Sequence, residues 1–174
     1  MDAVGLLKQK GIKKLEAREK IAAAITDGSF SLGELQSRIG ELKEKQIATV
    51  LEAIEEVTGR RERPALGVEY LRFAEDYILS ENNSCKREAS RVTGNMAADY
   101  PSELDGAVEA LLRNTGDSGT VVRWGSAYAL SRIIILERYR DSALVQKVKA
   151  LYEAEQENGV KNQYKKALRR IKAI

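Results

Sequence analysis

A stripe of small and apolar positions recurs three times along the chain, each time behind a cation and at offsets of three, six, seven and ten residues. Lys86 is followed by Ala89, Val92, Thr93 and Met96. Arg123 is followed by Ser126, Ala129, Leu130 and Ile133, and Lys161 by Tyr164, Ala167, Leu168 and Ile171. These offsets share one face of an α-helix. The copies are 37 and 38 residues apart, a period at which each helical unit must bury its stripe against its neighbours. Ile47, Ala48, Val50, Leu51 and Ile54 fit the same template with Glu44 in the cation's place, so this copy is degenerate at its first position.

The segments between the stripes predict partner helices. A leading helix is expected from about Val4 to Ile25, with Ile12, Leu15, Ile21 and Ile25 on one face and Asp27-Gly28 ending it. Ser31 with Glu34 predicts a capping box for a short helix to about Ile39. Gly59 to Ala65 is a charged connector in which Pro64 forbids helix. A helix over about 66–80 would bury Tyr70, Leu71, Ala74 and Ile78, and Asn82-Asn83-Ser84 offers N-cap oxygens to the next. The chain breaks at Tyr100-Pro101-Ser102, and Ser102 with Asp105 restarts a helix lined by Leu104, Ala107, Val108 and Leu111. A turn at Asn114 to Gly119 leads into a helix reaching about Tyr139. Leu144, Val145, Val148 and Leu151 predict another, ended by Asn158-Gly159, with Val160 opening the last. The reading is an all-α chain, 1–174 as one domain, with about four helix pairs and an N-terminal helix.

Composition agrees with helix: only two prolines occur, both in connectors, and alternating β-branched runs are missing. Charged residues make up 32% of the chain, and no apolar run nears the roughly 18 to 20 residues that cross a bilayer. The N-terminus shows no secretory pattern, and a lone cysteine suits a reducing compartment, so a cytoplasmic protein with no membrane association is expected. The chain contains no histidine, which removes Ser-His and Cys-His catalysis, the usual zinc sites and imidazole-ligated haem. No enzyme, metal or cofactor is therefore expected. The net charge of +3 is uneven: Asn158 to Ile174 holds six cations and no acid, while the rest carries 23 Lys and Arg against 26 Asp and Glu. Cys85 occupies the position of Val122 and Val160 and reads as a small buried hydrophobe; the alternative is a thiol activated beside Lys86 and Arg87.

Val122-Arg123 with Ser126-Ala127, Ala129-Leu130 and Ile133 resembles the second helix of a HEAT repeat. Glu88 to Asn95 (Glu-Ala-Ser-Arg-Val-Thr-Gly-Asn) resembles the inner helix of an armadillo repeat. The resemblance covers about Leu32 to the C-terminus and implies a right-handed α-α superhelix. It also implies a ladder of polar residues between repeats, in which an acid stands six residues before each cation: Asp117 before Arg123 and Glu155 before Lys161, with Ser80 in that place before Lys86.

The resemblance further implies that the second helix of each pair lines a concave side. Positions one, five and nine after the cation share a face distinct from the apolar stripe. They are Arg87, Arg91 and Asn95, then Trp124, Tyr128 and Arg132, then Asn162, Lys166 and Arg170, which predicts a cationic groove with an aromatic centre. Asn95 matches the asparagine with which armadillo repeats hold an extended peptide. The expected function is a non-enzymatic scaffold for a protein or peptide, acidic or extended. The alternative is nucleic acid, its phosphates met by the terminal cations and its bases stacked on Trp124 and Tyr128. Alkylpurine DNA glycosylases, built from HEAT-like repeats, place an Asp near a concave Trp; here Tyr128 lies one turn beyond Trp124 and no acid shares that face, so their catalysis does not carry over. Asp99 and Glu103 flank a proline turn and read as caps.

Overall fold

The computed structural model describes residues 1–174 and contains ten α-helices and no strand. In chain order they are α1 (Ala3–Lys8), α2 (Lys14–Asp27), α3 (Leu32–Ser37), α4 (Glu44–Thr58), α5 (Val68–Glu75), α6 (Asn83–Met96), α7 (Asp105–Asn114), α8 (Thr120–Ile133), α9 (Ala143–Ala154) and α10 (Asn158–Arg170). Single 3-10 turns lie at Ile39–Glu41 and Pro101–Glu103. The four stripes fall on α4, α6, α8 and α10. Those helices pack in series, α2 on α4, α4 on α6, α6 on α8 and α8 on α10, and form one continuous layer. Helix α5 lies against α6, α7 against α8 and α9 against α10, with α5 touching α7. This second layer closes a core of 46 buried residues running from Ala3 to Leu168.

Two glycines set how closely the central helices meet. A Cβ built on Gly94 of α6 would stand 2.9 Å from the Cα of Ala129 and 3.2 Å from Tyr128 Cδ1 on α8. One on Gly125 of α8 would stand 3.1 Å from the carbonyl oxygen of Arg87. Helix interiors ordinarily pay for glycine by about 1 kcal/mol relative to alanine. Here the missing side chains let two backbones approach and allow the residues around them to overlap.

Local chemistry accounts for the helix starts. Asn82 accepts from the amides of Ser84 and Cys85, Ser31 from Glu34 and Ser142 from Leu144, each satisfying orphan donors at a helix N-terminus. Four expectations need correction. The leading helix is two, because Gly11 adopts φ +84° and breaks the chain between α1 and α2. Leu15 consequently leaves the buried face and is 54% exposed, while Ile21 and Ile25 remain buried. Neither Ser102 nor Asp105 caps α7: the carboxylate of Asp105 instead accepts from the Tyr139 hydroxyl at 2.8 Å and from Arg138 at 3.1 Å, tying the start of α7 to the turn after α8. Helix α8 accordingly ends at Ile133, short of Tyr139. Asn158-Gly159 opens α10 rather than ending α9, since α9 has already stopped at Ala154.

Gly94→Ala should lower stability by about 1–3 kcal/mol, reversing the sign that helix propensity alone would give, because the added methyl overpacks the α6–α8 contact. Leu130, with 0% exposure, should cost about 2–5 kcal/mol when changed to Ala. Arg132→Ala, on the half-buried face, should cost under about 1 kcal/mol. Urea unfolding of the three variants checks this set; equal losses for Leu130→Ala and Arg132→Ala would mean that the faces are misassigned.

Candidate binding face

The cations that open the first two stripes are held by acids of the following unit. Lys86 on α6 donates from Nζ to Oδ2 of Asp117 at 2.7 Å. Arg123 on α8 donates from Nε to Oε2 of Glu155 at 3.1 Å. Each acid also turns its backbone carbonyl to the cation six residues on: Asp117 accepts from Arg123 at 3.0 Å and Glu155 from Lys161 at 3.3 Å. One loop residue thus links two successive helices of the layer, by its side chain to the earlier and by its backbone to the later. At the degenerate copy the polarity is reversed, with the Ser80 hydroxyl donating to Glu44 Oε1 at 3.4 Å.

Six of the nine expected face residues come together across α6 and α8. The rings of Trp124 and Tyr128 lie 5.4 Å apart at their centroids. The guanidinium of Arg91 stands 5.9 Å from each ring, and that of Arg132 lies 3.6 Å over Tyr128. Cation–π attraction suits this arrangement of half-buried groups. The Tyr128 hydroxyl donates to Asn95 Oδ1 at 2.5 Å, and Asn95 Nδ2 donates to Thr58 Oγ1 at 3.2 Å and to the Glu55 carbonyl at 3.4 Å. Asn95 is therefore committed to bridging α4, α6 and α8, and its amide is not presented to a peptide backbone as the armadillo resemblance implied.

The cationic character expected of the whole face holds for only part of it. Arg91 pairs with Glu55 at 2.7 Å and Glu88 at 3.0 Å, and Arg87 with Glu88 at 2.5 Å and Glu52 at 3.9 Å. Lys14 and Arg18 of α2 reach Glu52 and Glu56 at 2.6 and 3.2 Å. These side chains line a concavity of 560 Å³ across α2, α4 and α6 whose charges are balanced internally. Glu88 is 1% exposed, and its cost of burial is offset by two guanidinium groups. Burial raises the pKa of Glu55, with the Arg91 charge opposing it.

Helix α10 differs. Asn162, Lys166 and Arg170 are exposed, and no acid is within ion-pair distance of Arg132, Lys166 or Arg170. Asn162 makes no side-chain hydrogen bond and does not line the depression between α8 and α10 that Arg132, Lys166 and Arg170 share.

The pairing of Glu52, Glu55 and Glu88 with Arg87 and Arg91 was not part of the sequence reading of the face. Its signal was available: Glu52 and Glu55 stand 35 and 36 residues before Arg87 and Arg91, close to the period that brings one unit beside the next. Cys85 has 0% exposure, its thiol donates to the Glu44 carbonyl at 3.4 Å, and burial pushes its pKa up to about 11. It is packing, not a nucleophile.

No family model matches the sequence, and no curated protein sequence matches it. Among solved structures the chain is similar to an engineered protein, with a TM-score of 0.63 and 16% sequence identity over 98% of this chain and 78% of that one. At that identity the likeness speaks to the packing of the helices.

A thiol-specific reagent should leave Cys85 unmodified in the native protein near neutral pH and label it fully in urea; rapid native labelling would contradict its burial. Acid should act on the ladder. The hydrogen bond from Lys86 chiefly holds the Asp117 carboxyl below its ordinary value. At Glu155 burial pushes upward, but the bonds from Arg123 and the following backbone amides prevail and the pKa is lowered. A lowered folded-state pKa contributes stability that is complete above the unfolded value, about 4, and lost as pH falls through the folded one. Glu55 has the opposite sign, its contribution fading as pH rises through its raised value. Asp117→Asn should therefore flatten the fall in unfolding free energy below about pH 4; an unchanged acid limb would remove the ladder from the account.

Proposed function

We propose that the chain is a non-enzymatic helical-repeat scaffold of the HEAT and armadillo kind, a right-handed superhelix whose inner layer, α2, α4, α6, α8 and α10, receives an acidic protein segment. The observation that carries this reading is the division of charge along the layer. From α2 to α6 the cations are neutralised by Glu52, Glu55, Glu56 and Glu88. From α8 to α10, Arg132, Lys166 and Arg170 have no such partners, and Arg132 stacks on Tyr128, whose ring lies beside that of Trp124. An amphipathic aromatic pair with an unpaired arginine stacked on it, at the edge of a cationic depression, is the composition of a hot spot for a segment bearing both carboxylates and apolar side chains. The regular ladder and serial helix packing support the repeat reading.

The acids at α4 and α6 bear on the choice of ligand. A nucleic-acid strand following the layer would meet, at α4 and α6, arginines already paired with Glu55 and Glu88, which leaves that stretch without free cations for a continuous phosphate track. A protein segment with its acidic end over α10 and a neutral or basic end over α4 matches both halves.

The reading is tested by following Trp124 fluorescence while adding a peptide rich in Glu and Leu, at low and moderate salt, against a single-stranded oligonucleotide. Saturable binding of the peptide alone is expected. Trp124→Ala and Arg132→Ala, assayed by calorimetry, should each weaken it by about tenfold or more at unchanged helicity. Binding of the oligonucleotide alone, falling steeply with salt, would replace the protein ligand with nucleic acid.

A further inference from the structure

We propose that the depression between α8 and α10 is a binding site for a phosphate monoester, presented by a phosphorylated side chain of the segment the inner layer receives; the inference rests on that reading of the layer. The depression holds 380 Å³ and is lined by Ser131, Arg132, Ile135, Gln163, Lys166 and Arg170, together with Ala167. Three features give it this specificity.

Its charge is uncompensated. On the α2, α4 and α6 part of the face the cations around the larger concavity are matched: Lys14 by Glu52, Arg18 by Glu56, Arg87 and Arg91 by Glu88. Arg132, Lys166 and Arg170 converge on one small space with no acid among its lining residues. A single carboxylate would leave most of that charge unanswered. A phosphate monoester near neutral pH carries about −1.5 to −2 charges and three strong acceptor oxygens, which suits three cationic donors.

Neutral donors are also present. Ser131 is 7% exposed, and its Oγ has no hydrogen-bond partner. A buried hydroxyl in that state forfeits stability that a ligand oxygen restores. The Gln163 amide lines the same space and adds a second uncharged donor.

Finally, the cationic region is one depression wide. Towards α6 it is bounded by Tyr128, whose face Arg132 covers at 3.6 Å, and then by the Arg91–Glu55 pair. Stacking on Tyr128 restricts the Arg132 guanidinium and so lowers the entropy lost when it engages an anion. A phosphodiester backbone distributes single charges over a long path, whereas this site concentrates its donors at one point.

Calorimetric titration of the full chain with inorganic phosphate, N-acetyl-phosphoserine amide, N-acetyl-glutamate amide and a short single-stranded oligonucleotide tests the inference. Phosphate and the capped phosphoserine should bind at one site and compete, the phosphoserine more tightly than the glutamate. Lys166→Gln and Arg170→Gln should each weaken phosphoserine binding by about tenfold, as for one charge-assisted hydrogen bond. Ser131→Ala should weaken it a few-fold, while Lys147→Gln on α9 should leave it unchanged, all at unaltered helicity. Glutamate binding as tightly as phosphoserine, or indifference to Lys166→Gln and Arg170→Gln, would overturn the phosphate site. So would an oligonucleotide that displaces phosphate with a steep salt dependence, in favour of nucleic acid. If the Glu- and Leu-rich peptide still binds but phosphoserine does not, this inference alone fails; if neither binds, the functional reading fails with it.

Discussion

The approach of α6 to α8 is the constraint on which the rest of the molecule depends. Gly94 and Gly125 remove side chains where the two backbones meet, and the Cα of Ala129 occupies space that a Cβ on Gly94 would need. Close packing then carries Arg91 over Trp124 and Tyr128, and brings the Tyr128 hydroxyl onto Asn95. A larger residue at either glycine would separate the helices, and with them the aromatic pair from its cation. The Lys86–Asp117 contact ties the start of α6 to the loop that precedes α8. Apolar burial supplies most of the adhesion between layers, while these polar contacts select one geometry among the many that such burial would allow.

The same logic explains why the face divides. Helices α4 and α6 face one another with acids on the first and arginines on the second, so their pairing is part of the fold, and Glu88 could not be buried without Arg87 and Arg91. Helix α10 packs on α8 and α9, neither of which pairs an acid with Arg132, Lys166 or Arg170. Its cations meet no opposing acidic face. A single surface therefore contains a structural half, in which charge is consumed internally, and an unsatisfied half.

Much of this was legible in the sequence, because a helix stripe depends on local spacing. The offsets after Lys86, Arg123 and Lys161 located buried residues on three helices, and the offsets after Glu44 did the same despite the missing cation. Local reading failed where backbone conformation or a distant partner decided the outcome. Gly11 could have been an ordinary helical glycine until its positive φ broke the first helix. Asp105 looked like a helix start but serves Tyr139 and Arg138, more than thirty residues away. The face residues were identified by helical phase, which gives direction but not company. Asn95 is engaged by Glu55, Thr58 and Tyr128, and Arg91 is paired with Glu55 and Glu88.

The crowding of like charge on the last helix has a cost in the free protein. Lys165, Lys166, Arg169 and Arg170 lie within six consecutive positions of α10 and, with Lys161 and Lys172, see no acid in their own segment. Mutual repulsion works against the burial of Val160, Tyr164 and Leu168, by which this helix is attached. Salt screens that repulsion but also weakens the ion pairs of α2, α4 and α6, so the two ends of the layer answer ionic strength in opposite directions. The array is thus loosened at one end by the conditions that tighten it at the other.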